Sequence, residues 1–120
     1  MTKRQKQVNH AIRREISELL ARHINDPRIS GIFSVTEVDI SPDLTQAKVF
    51  ISVMGSDQEK GELFDGLAAA SGFLRRELGN RLKMRYIPKL IFEMDDSIER
   101  ADRLFQLIDQ TIDDSPDQQG

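Results

Sequence analysis

The sequence predicts a two-layer α+β domain in which helices cover one face of a three-stranded sheet. In three segments apolar residues recur at spacings of three and four, which is typical of amphipathic helices. Three shorter segments show β-branched enrichment or period-two alternation, which is typical of strands. The order is helix, strand, strand, helix, strand, helix, and the short connections suit one domain over residues 1–112.

The amino-terminal part predicts a helix followed by a hairpin. The helix carries one apolar stripe and stops before Pro27, because proline cannot continue the helical hydrogen-bond ladder. Residues 32–40 predict a β-branched strand, and residues 47–53 alternate as a second strand. Residues 41–44 have turn composition, so we expect an antiparallel hairpin. The stripe of the helix consists of Val8, Ile12, Ile16, Leu19, Leu20 and Ile24.

A long helix with a break in its middle is predicted after the hairpin. Ser56 or Asp57 can cap its start, and Gly79 with Asn80 suits its end. Gly72 lies between two helical runs, where glycine costs about 1 kcal/mol relative to alanine, so we expect a bend there. A bend would free N–H groups of the second run, and such groups attract anions. The inward residues are predicted to be Leu63, Phe64, Leu67, Ala68, Phe73, Leu74 and Leu78.

A third strand and a last helix complete the predicted domain. Residues 90–94 alternate, and Asp96 with Ser97 can cap the helix that follows. That helix would carry its apolar stripe over residues 98–112. Residues 113–120 contain no apolar side chain, which predicts a disordered acidic carboxyl-terminal tail.

Composition limits the classes of function. The 120-residue chain has no cysteine, so a disulfide, a thiolate nucleophile and a cysteine-ligated metal are excluded. No apolar run approaches the roughly 18 residues that span a bilayer, which favours a cytoplasmic protein. His10 and His23 lie about 140° apart around the first helix and cannot share a metal. No glycine-rich phosphate fingerprint is present, so we expect no enzyme, cofactor, metal, membrane partner or small-molecule substrate.

Charge is segregated along the chain. The net charge is −3, yet residues 1–30 hold seven Lys or Arg against three Asp or Glu, and residues 71–90 hold six against one. Acidic blocks occupy residues 31–70 and 91–120. Two basic blocks can build a local positive field that captures a polyanion. Two alternatives stay open: opposite blocks pair with each other in the fold, or the basic segment is a solvated face without a partner.

The basic run, residues 71–90, favours binding to a sugar–phosphate backbone. Tyr86 is the one aromatic side chain of this run that is free to stack, because Phe73 suits the core, so recognition by shape and backbone is favoured over base reading. Two helices joined by a tight glycine link beside a small sheet are typical of KH domains, which bind single-stranded nucleic acid. The usual link is Gly-x-x-Gly, however, and only Gly72 is present here.

Several segments, in their order and spacing, resemble the bacterial ribosome-binding factor A family over about residues 8–107. No single segment carries this resemblance. The segments are residues 26–28, 35–38, 41–44, 47–49, 70–75, 77–79, 81–82 and 88–90, together with Phe92 and residues 96–99.

The resemblance implies a type II KH-like fold in which the Ala-x-Gly of residues 70–72 replaces the usual link. It implies a monomeric assembly factor that binds free 30S small ribosomal subunits. Such a factor assists late maturation and processing of 16S rRNA near its 5′-terminal helix and matters most in the cold. The expected RNA-binding residues are Lys3, Arg4, Arg14, Ala70, Ser71, Gly72, Arg75, Arg76, Arg81, Lys83 and Arg85.

Two alternative functions remain at this point. One is a general KH-like RNA-binding protein without a link to ribosomes, which the identity of co-purifying RNA would reveal. The other is a protein-interaction module that engages a basic ribosomal protein through the acidic residues 91–117. Binding of that kind should survive complete removal of RNA by nuclease.

Overall fold

The computed structural model describes residues 1–96, which form two helices and a mixed three-stranded sheet. The α+β class with both helices on one face of the sheet is confirmed. The predicted last helix over residues 98–112 and the tail over residues 113–120 lie outside the described residues. The elements are α1 (Lys3–Arg22), β1 (Ile32–Ile40), β2 (Gln46–Met54), α2 (Asp57–Leu82) and β3 (Lys89–Met94).

Helix α1 begins with a reciprocal cap. The Thr2 hydroxyl accepts a hydrogen bond from the Gln5 N–H at 3.1 Å, and Gln5 Oε1 accepts one from the Thr2 N–H at 2.8 Å. This arrangement satisfies N–H groups that have no partner within the helix. The predicted apolar stripe is confirmed, since Ile12, Ile16 and Leu19 are fully buried. The helix ends at Arg22, ahead of the proline that was expected to stop it.

A β-bulge at residue 36 keeps the apolar side chains of β1 on one face. Val35 pairs with Ile51, whereas Val38 pairs with Val49. Three steps along β1 therefore match two steps along β2. Because successive side chains of a strand point to opposite faces, Val35 and Val38 would otherwise lie on different sides of the sheet. The extra residue places Val38 on the same face as Val35, and both valines are buried.

Strand β3 lies beside β2 and runs parallel to it, with Phe92 opposite Val49. The sheet order is β1-β2-β3, so β2 is the central strand. Parallel neighbours need a crossover connection, and α2 provides it. Ala47 and Val49 of β2 are fully buried while the intervening Lys48 is exposed, so the helices cover one face of the sheet.

Two buried polar side chains of α1 bind the outer edge of β1. Asn9 Oδ1 accepts a hydrogen bond from the Ile40 N–H at 2.8 Å, and Gln5 Nε2 lies 3.5 Å from the Ile40 carbonyl oxygen. These backbone groups belong to β1, which lies at the edge of the sheet formed by the described residues. Helix α1 therefore satisfies backbone polar groups that a sheet edge would otherwise leave unpaired.

Helix α2 runs without interruption through Gly72, so the predicted break with freed N–H groups is wrong. Leu67, Leu74 and Leu78 are fully buried on either side of this glycine. Burying one leucine stabilises a fold by about 1.5–3 kcal/mol, which exceeds the roughly 1 kcal/mol that glycine costs in a helix. Packing therefore outweighs local propensity. Of the predicted inward residues, Ala68 is exposed.

The predicted start of α2 is confirmed, whereas its predicted end is wrong. Ser56 caps the start as predicted: its hydroxyl accepts from the Glu59 N–H at 3.2 Å, and Glu59 Oε1 accepts from the Ser56 N–H at 3.1 Å. The helix continues past the predicted stop at Gly79. It ends at Leu82, and the capping residue Lys83 adopts the left-handed conformation with φ of 52° and donates its N–H to the Gly79 carbonyl.

We expect opposite stability effects from alanine at two glycines of α2. A Cβ at Gly66 would lie 2.8 Å from Ile29 Cγ1 and 3.0 Å from Arg28 Cβ, whereas a Cβ at Gly72 would meet no atom within 4 Å. Gly66→Ala should lower the free energy of unfolding by about 1–2 kcal/mol through overpacking. Gly72→Ala should raise it by about 0.5–1 kcal/mol. Urea denaturation measures both, and equal stabilisation by the two variants would contradict the close packing at Gly66.

Candidate nucleic-acid interface

Three separate segments enclose an open cleft of about 650 Å³ at one end of the molecule. They are the first turn of α1, the turn between β1 and β2, and the chain that leaves α2 for β3. We call this cleft, lined by residues 4, 43–45 and 82–87, the exit cleft. The cleft is open to solvent, so a polymer can enter it without a conformational change.

Three of the predicted RNA-binding residues meet in the exit cleft. Arg4 comes from the start of α1, and Lys83 and Arg85 come from the end of α2. Among residues 1–96, Asp43 contributes the one carboxylate of the lining. The two basic blocks of the sequence therefore meet here, which gives a local excess of positive charge on a chain whose net charge is negative.

Hydrogen bonds within the β1–β2 turn hold the carboxylate of Asp43. Its Oδ1 accepts from the Ser41 hydroxyl at 2.7 Å, the Thr45 hydroxyl at 2.7 Å and the Thr45 N–H at 3.1 Å. The hydrogen bond from Ser41, followed by those from Thr45, lowers the pKa of Asp43 below its usual value. These hydrogen bonds stabilise the ionised carboxylate and orient it toward its own turn.

Two left-handed residues other than glycine also line the exit cleft. Leu44 has a φ of 63° and Lys83 a φ of 52°. Within residues 1–96 these are the two positions where a side chain is combined with a positive φ. Such a backbone costs about 1–3 kcal/mol and often marks functional sites. Both walls of the cleft therefore contain a strained residue.

Arg75 holds the exit segment against α2. Its Nε donates to the Pro88 carbonyl at 3.2 Å, and its Nη2 donates to the Ile87 carbonyl at 3.1 Å. A Cβ at Gly79 would lie 3.3 Å from Ile87 Cγ1, so the isoleucine packs closely on the helix there. The sequence predicts Arg75 as a phosphate ligand, but the structure shows it bonded to the backbone that positions Lys83 and Arg85.

Arg81 joins the two helices. Its Nη1 lies 3.1 Å from Glu15 Oε2 and 3.8 Å from Glu18 Oε1, and its side chain is half-buried. These carboxylates offset the charge of the guanidinium. Both glutamates belong to the basic block of residues 1–30, so this contact is not a pairing of a basic block with an acidic one.

The remaining predicted cations lie outside the exit cleft. Lys3 and Arg76 are exposed and form no ion pair or side-chain hydrogen bond with residues 1–96. Arg14 lies 3.6 Å from Glu15, but its side chain is 74% exposed, so this contact contributes little. Arg14 is also ten residues along α1 from Arg4, about 15 Å by helix rise. These three side chains do not line the exit cleft.

Residues 70–72 form part of the uninterrupted α2. Ala70 and Ser71 are half-buried, and Gly72 is exposed. Because the helix continues through them, the route by which they were expected to bind phosphate, through freed N–H groups, is absent. An exposed glycine still allows a partner to approach the backbone closely, so their role in binding stays a prediction.

Tyr86 lines the exit cleft, although it is not among the expected RNA-binding residues. Its side chain is 73% exposed, and the guanidinium carbon of Arg85 lies 5.5 Å from its ring centroid. The sequence indicates that this ring is free to stack, and its exposure confirms that. Its proximity to Arg4 and Leu44 depends on tertiary structure, and sequence spacing carries no signal for it.

The described part of the chain offers neither a metal site nor a membrane-spanning helix. Among residues 1–96, no group of three His, Asp or Glu side chains is placed to hold a metal ion. Neither α1 nor α2 is long and apolar enough to cross a membrane.

A KH-like α+β domain with a cationic cleft beside its sheet defines the class of this protein. The family model described as ribosome-binding factor A matches residues 4–108. The chain therefore belongs to the ribosome-binding factor A family, whose name denotes a binding factor and not a class of enzyme.

Curated relatives are similar over most of their length. The ribosome-binding factor A of Acetivibrio thermocellus is 46% identical over 104 residues, which cover 87% of this chain and 85% of the relative. That of Rippkaea orientalis is 41% identical over 120 residues, covering 99% of this chain and 94% of the relative.

Solved structures share the fold. The crystal structure of ribosome-binding factor A from Thermus thermophilus is matched with a TM-score of 0.64 at 24% identity, over 75% of this chain and 94% of that one. A homology model of the Thermus thermophilus protein, fitted into the cryo-EM map of a complex with 30S, is matched with a TM-score of 0.62 at 22% identity. That match covers 81% of this chain and 97% of the other.

We expect Arg75 and Arg76 to respond differently to truncation, although they are neighbours. Arg75→Ala should lower the free energy of unfolding by about 1–2 kcal/mol, because two carbonyl oxygens lose a charged donor. Amide hydrogen exchange of residues 83–87 should accelerate in the same variant. Arg76→Ala is the matched control and should stay within about 0.5 kcal/mol. Equal effects of the two variants on stability would contradict the anchoring role of Arg75.

Because the pKa of Asp43 is lowered, we expect the stability that its carboxylate contributes to be lost at acid pH. A carboxyl group with a depressed pKa in the folded state stabilises the fold above its unfolded pKa of about 3.8, and this contribution is lost as pH falls through the folded value. The difference in melting temperature between the wild type and Asp43→Asn should therefore shrink as pH falls below about 4. A difference that stays constant down to pH 2 would contradict this assignment.

Proposed function

We propose that this protein is an RNA-binding assembly factor of the small ribosomal subunit. The observation that carries the proposal is the convergence of Arg4, Lys83 and Arg85 on one cleft from segments almost eighty residues apart in the chain. Membership of the ribosome-binding factor A family names the ribosome as the target. The fitted complex of the Thermus thermophilus relative with 30S supports the small subunit as the part that is bound.

The finer proposal concerns the stage and the place of action. We propose binding to free 30S subunits in the cytoplasm, with a role in late maturation and processing of 16S rRNA near its 5′-terminal helix. The protein acts there as a monomer, by binding and not by catalysis, and without a cofactor. A requirement in the cold would follow, because misfolded RNA helices persist longer at low temperature.

The binding mechanism is electrostatic docking onto phosphates. Each phosphate that a Lys or Arg neutralises releases counterions, so the logarithm of affinity falls linearly with that of salt. The bonds from Arg75 to the Ile87 and Pro88 carbonyls support this mechanism, since they hold the segment that carries Lys83 and Arg85. Preorganised side chains lose less conformational freedom on binding.

Charge reversal tests the cleft against a matched surface. The double variant Lys83→Glu/Arg85→Glu should bind purified free 30S subunits at least about tenfold more weakly than the wild type, because repulsion replaces two phosphate contacts. Its salt slope should also fall in magnitude by about 0.7–0.9 per lost contact. The control Arg22→Glu/Lys48→Glu makes the same change in net charge on exposed residues outside the cleft and should bind almost normally. Co-sedimentation at several salt concentrations measures these quantities.

Two results would contradict the proposal. Equal losses in the two double variants would mean that net charge, and not the exit cleft, governs binding. Binding to ribosomal proteins that persists after complete nuclease digestion would favour a protein-interaction module instead. Circular dichroism and thermal melts of each variant establish that the fold is retained.

A further inference from the structure

The exit cleft is more apolar than phosphate binding requires. Leu44, Leu82, Met84 and Ile87 line it together with the ring of Tyr86. A surface that contacts only the backbone of a duplex needs cations and polar donors, because an A-form helix presents phosphates and 2′-hydroxyls and keeps its bases stacked inside. Leu44, Leu82 and Ile87 are partly buried against the core, so Met84 and the exposed Tyr86 are the apolar groups of the lining that the core does not account for.

The position of Tyr86 suits stacking. Its side chain is 73% exposed although its neighbour Ile87 is half-buried and Pro88 is fully buried. Arg85 lies 5.5 Å from the ring centroid and limits where the ring can move. An aromatic ring beside cations in a groove is the combination with which proteins bind unpaired bases, because every base has a face that stacks.

The dimensions of the cleft fit the same class of ligand. Its volume of about 650 Å³ lies within the range of small-molecule pockets, roughly 300–1,000 Å³, so it can hold a nucleotide with part of its neighbour. Arg4, Lys83 and Arg85 can contact the flanking phosphates. The anchoring of the exit segment by Arg75 keeps this shape in the free protein.

We infer that the exit cleft binds an unpaired nucleotide of single-stranded RNA, with its base on the Tyr86 ring and the apolar lining, and its phosphates on the three cations. This inference rests on the proposed function, because it assumes that the cleft binds RNA. It adds that the preferred substrate is a single-stranded or extruded nucleotide and not a continuous helix.

The chain contains a built-in reporter for this inference. Tyr86 is its only tyrosine, and it has no tryptophan, so tyrosine fluorescence of the unmodified protein arises from this one side chain. The fluorescence lifetime of the wild type should shorten when a single-stranded oligoribonucleotide stacks on the ring. A duplex of the same sequence and an abasic oligonucleotide of equal length are the controls and should leave the lifetime unchanged.

Two substitutions of Tyr86 test whether the aromatic ring is what contributes to binding. Tyr86→Leu keeps an apolar group and removes the ring, and it should weaken single-strand binding by roughly 5- to 150-fold, the range for the loss of one stacked base. Tyr86→Phe keeps the ring and should bind almost as the wild type does. Anisotropy of end-labelled oligonucleotides measures both variants, and duplex affinity should change in neither.

The results distinguish failure of this inference from failure of the proposed function. Salt-dependent RNA binding that leaves the Tyr86 lifetime unchanged, with normal affinity of Tyr86→Leu, would overturn the single-strand inference and leave the cleft as a phosphate site. Lifetimes that shorten equally with duplex and single strand would also overturn it. Absence of RNA binding together with normal 30S binding of the Lys83→Glu/Arg85→Glu variant would overturn the proposed function itself.

Discussion

The guanidinium of Arg75 fixes where the chain returns from α2 to the sheet. By donating to the carbonyl oxygens of Ile87 and Pro88, it holds the segment that leads into β3. The position of β3 beside β2 and the arrangement of the cleft walls both follow from that return point, since the Lys89 N–H then bonds the Thr45 carbonyl at 2.9 Å. One side chain thus links the long helix, the parallel strand and the hairpin turn.

The arginines of the basic run divide into structural and available charges. Arg75 and Arg81 bond to backbone or to carboxylates, whereas Arg76 and Arg85 form no ion pair or side-chain hydrogen bond within residues 1–96. A net charge of −3 is therefore compatible with a polyanion partner, because the acidic residues near these positions are used within the protein. Local arrangement, and not the sum over the chain, sets the field that a ligand meets.

Much of the fold was predictable because its patterns are local. Strand β1 agrees with its prediction over residues 32–40, and Ser56 caps α2 as its composition indicates. The break at Gly72 was predicted wrongly, because the leucines buried on both sides are worth more than local propensity, and their burial depends on the sheet. The parallel placement of β3 and the meeting of Arg4 with Tyr86 involve residues far apart in sequence, for which spacing has no information.

The bonds from Asn9 and Gln5 to Ile40 also decide how this molecule can assemble with others. An uncovered strand border invites a foreign strand, and with it sheet extension, swapped dimers or fibrils. Because α1 occupies the amide and carbonyl of Ile40, an incoming strand cannot register there without first displacing the helix. Two buried amides thus protect this end of the strand against self-association.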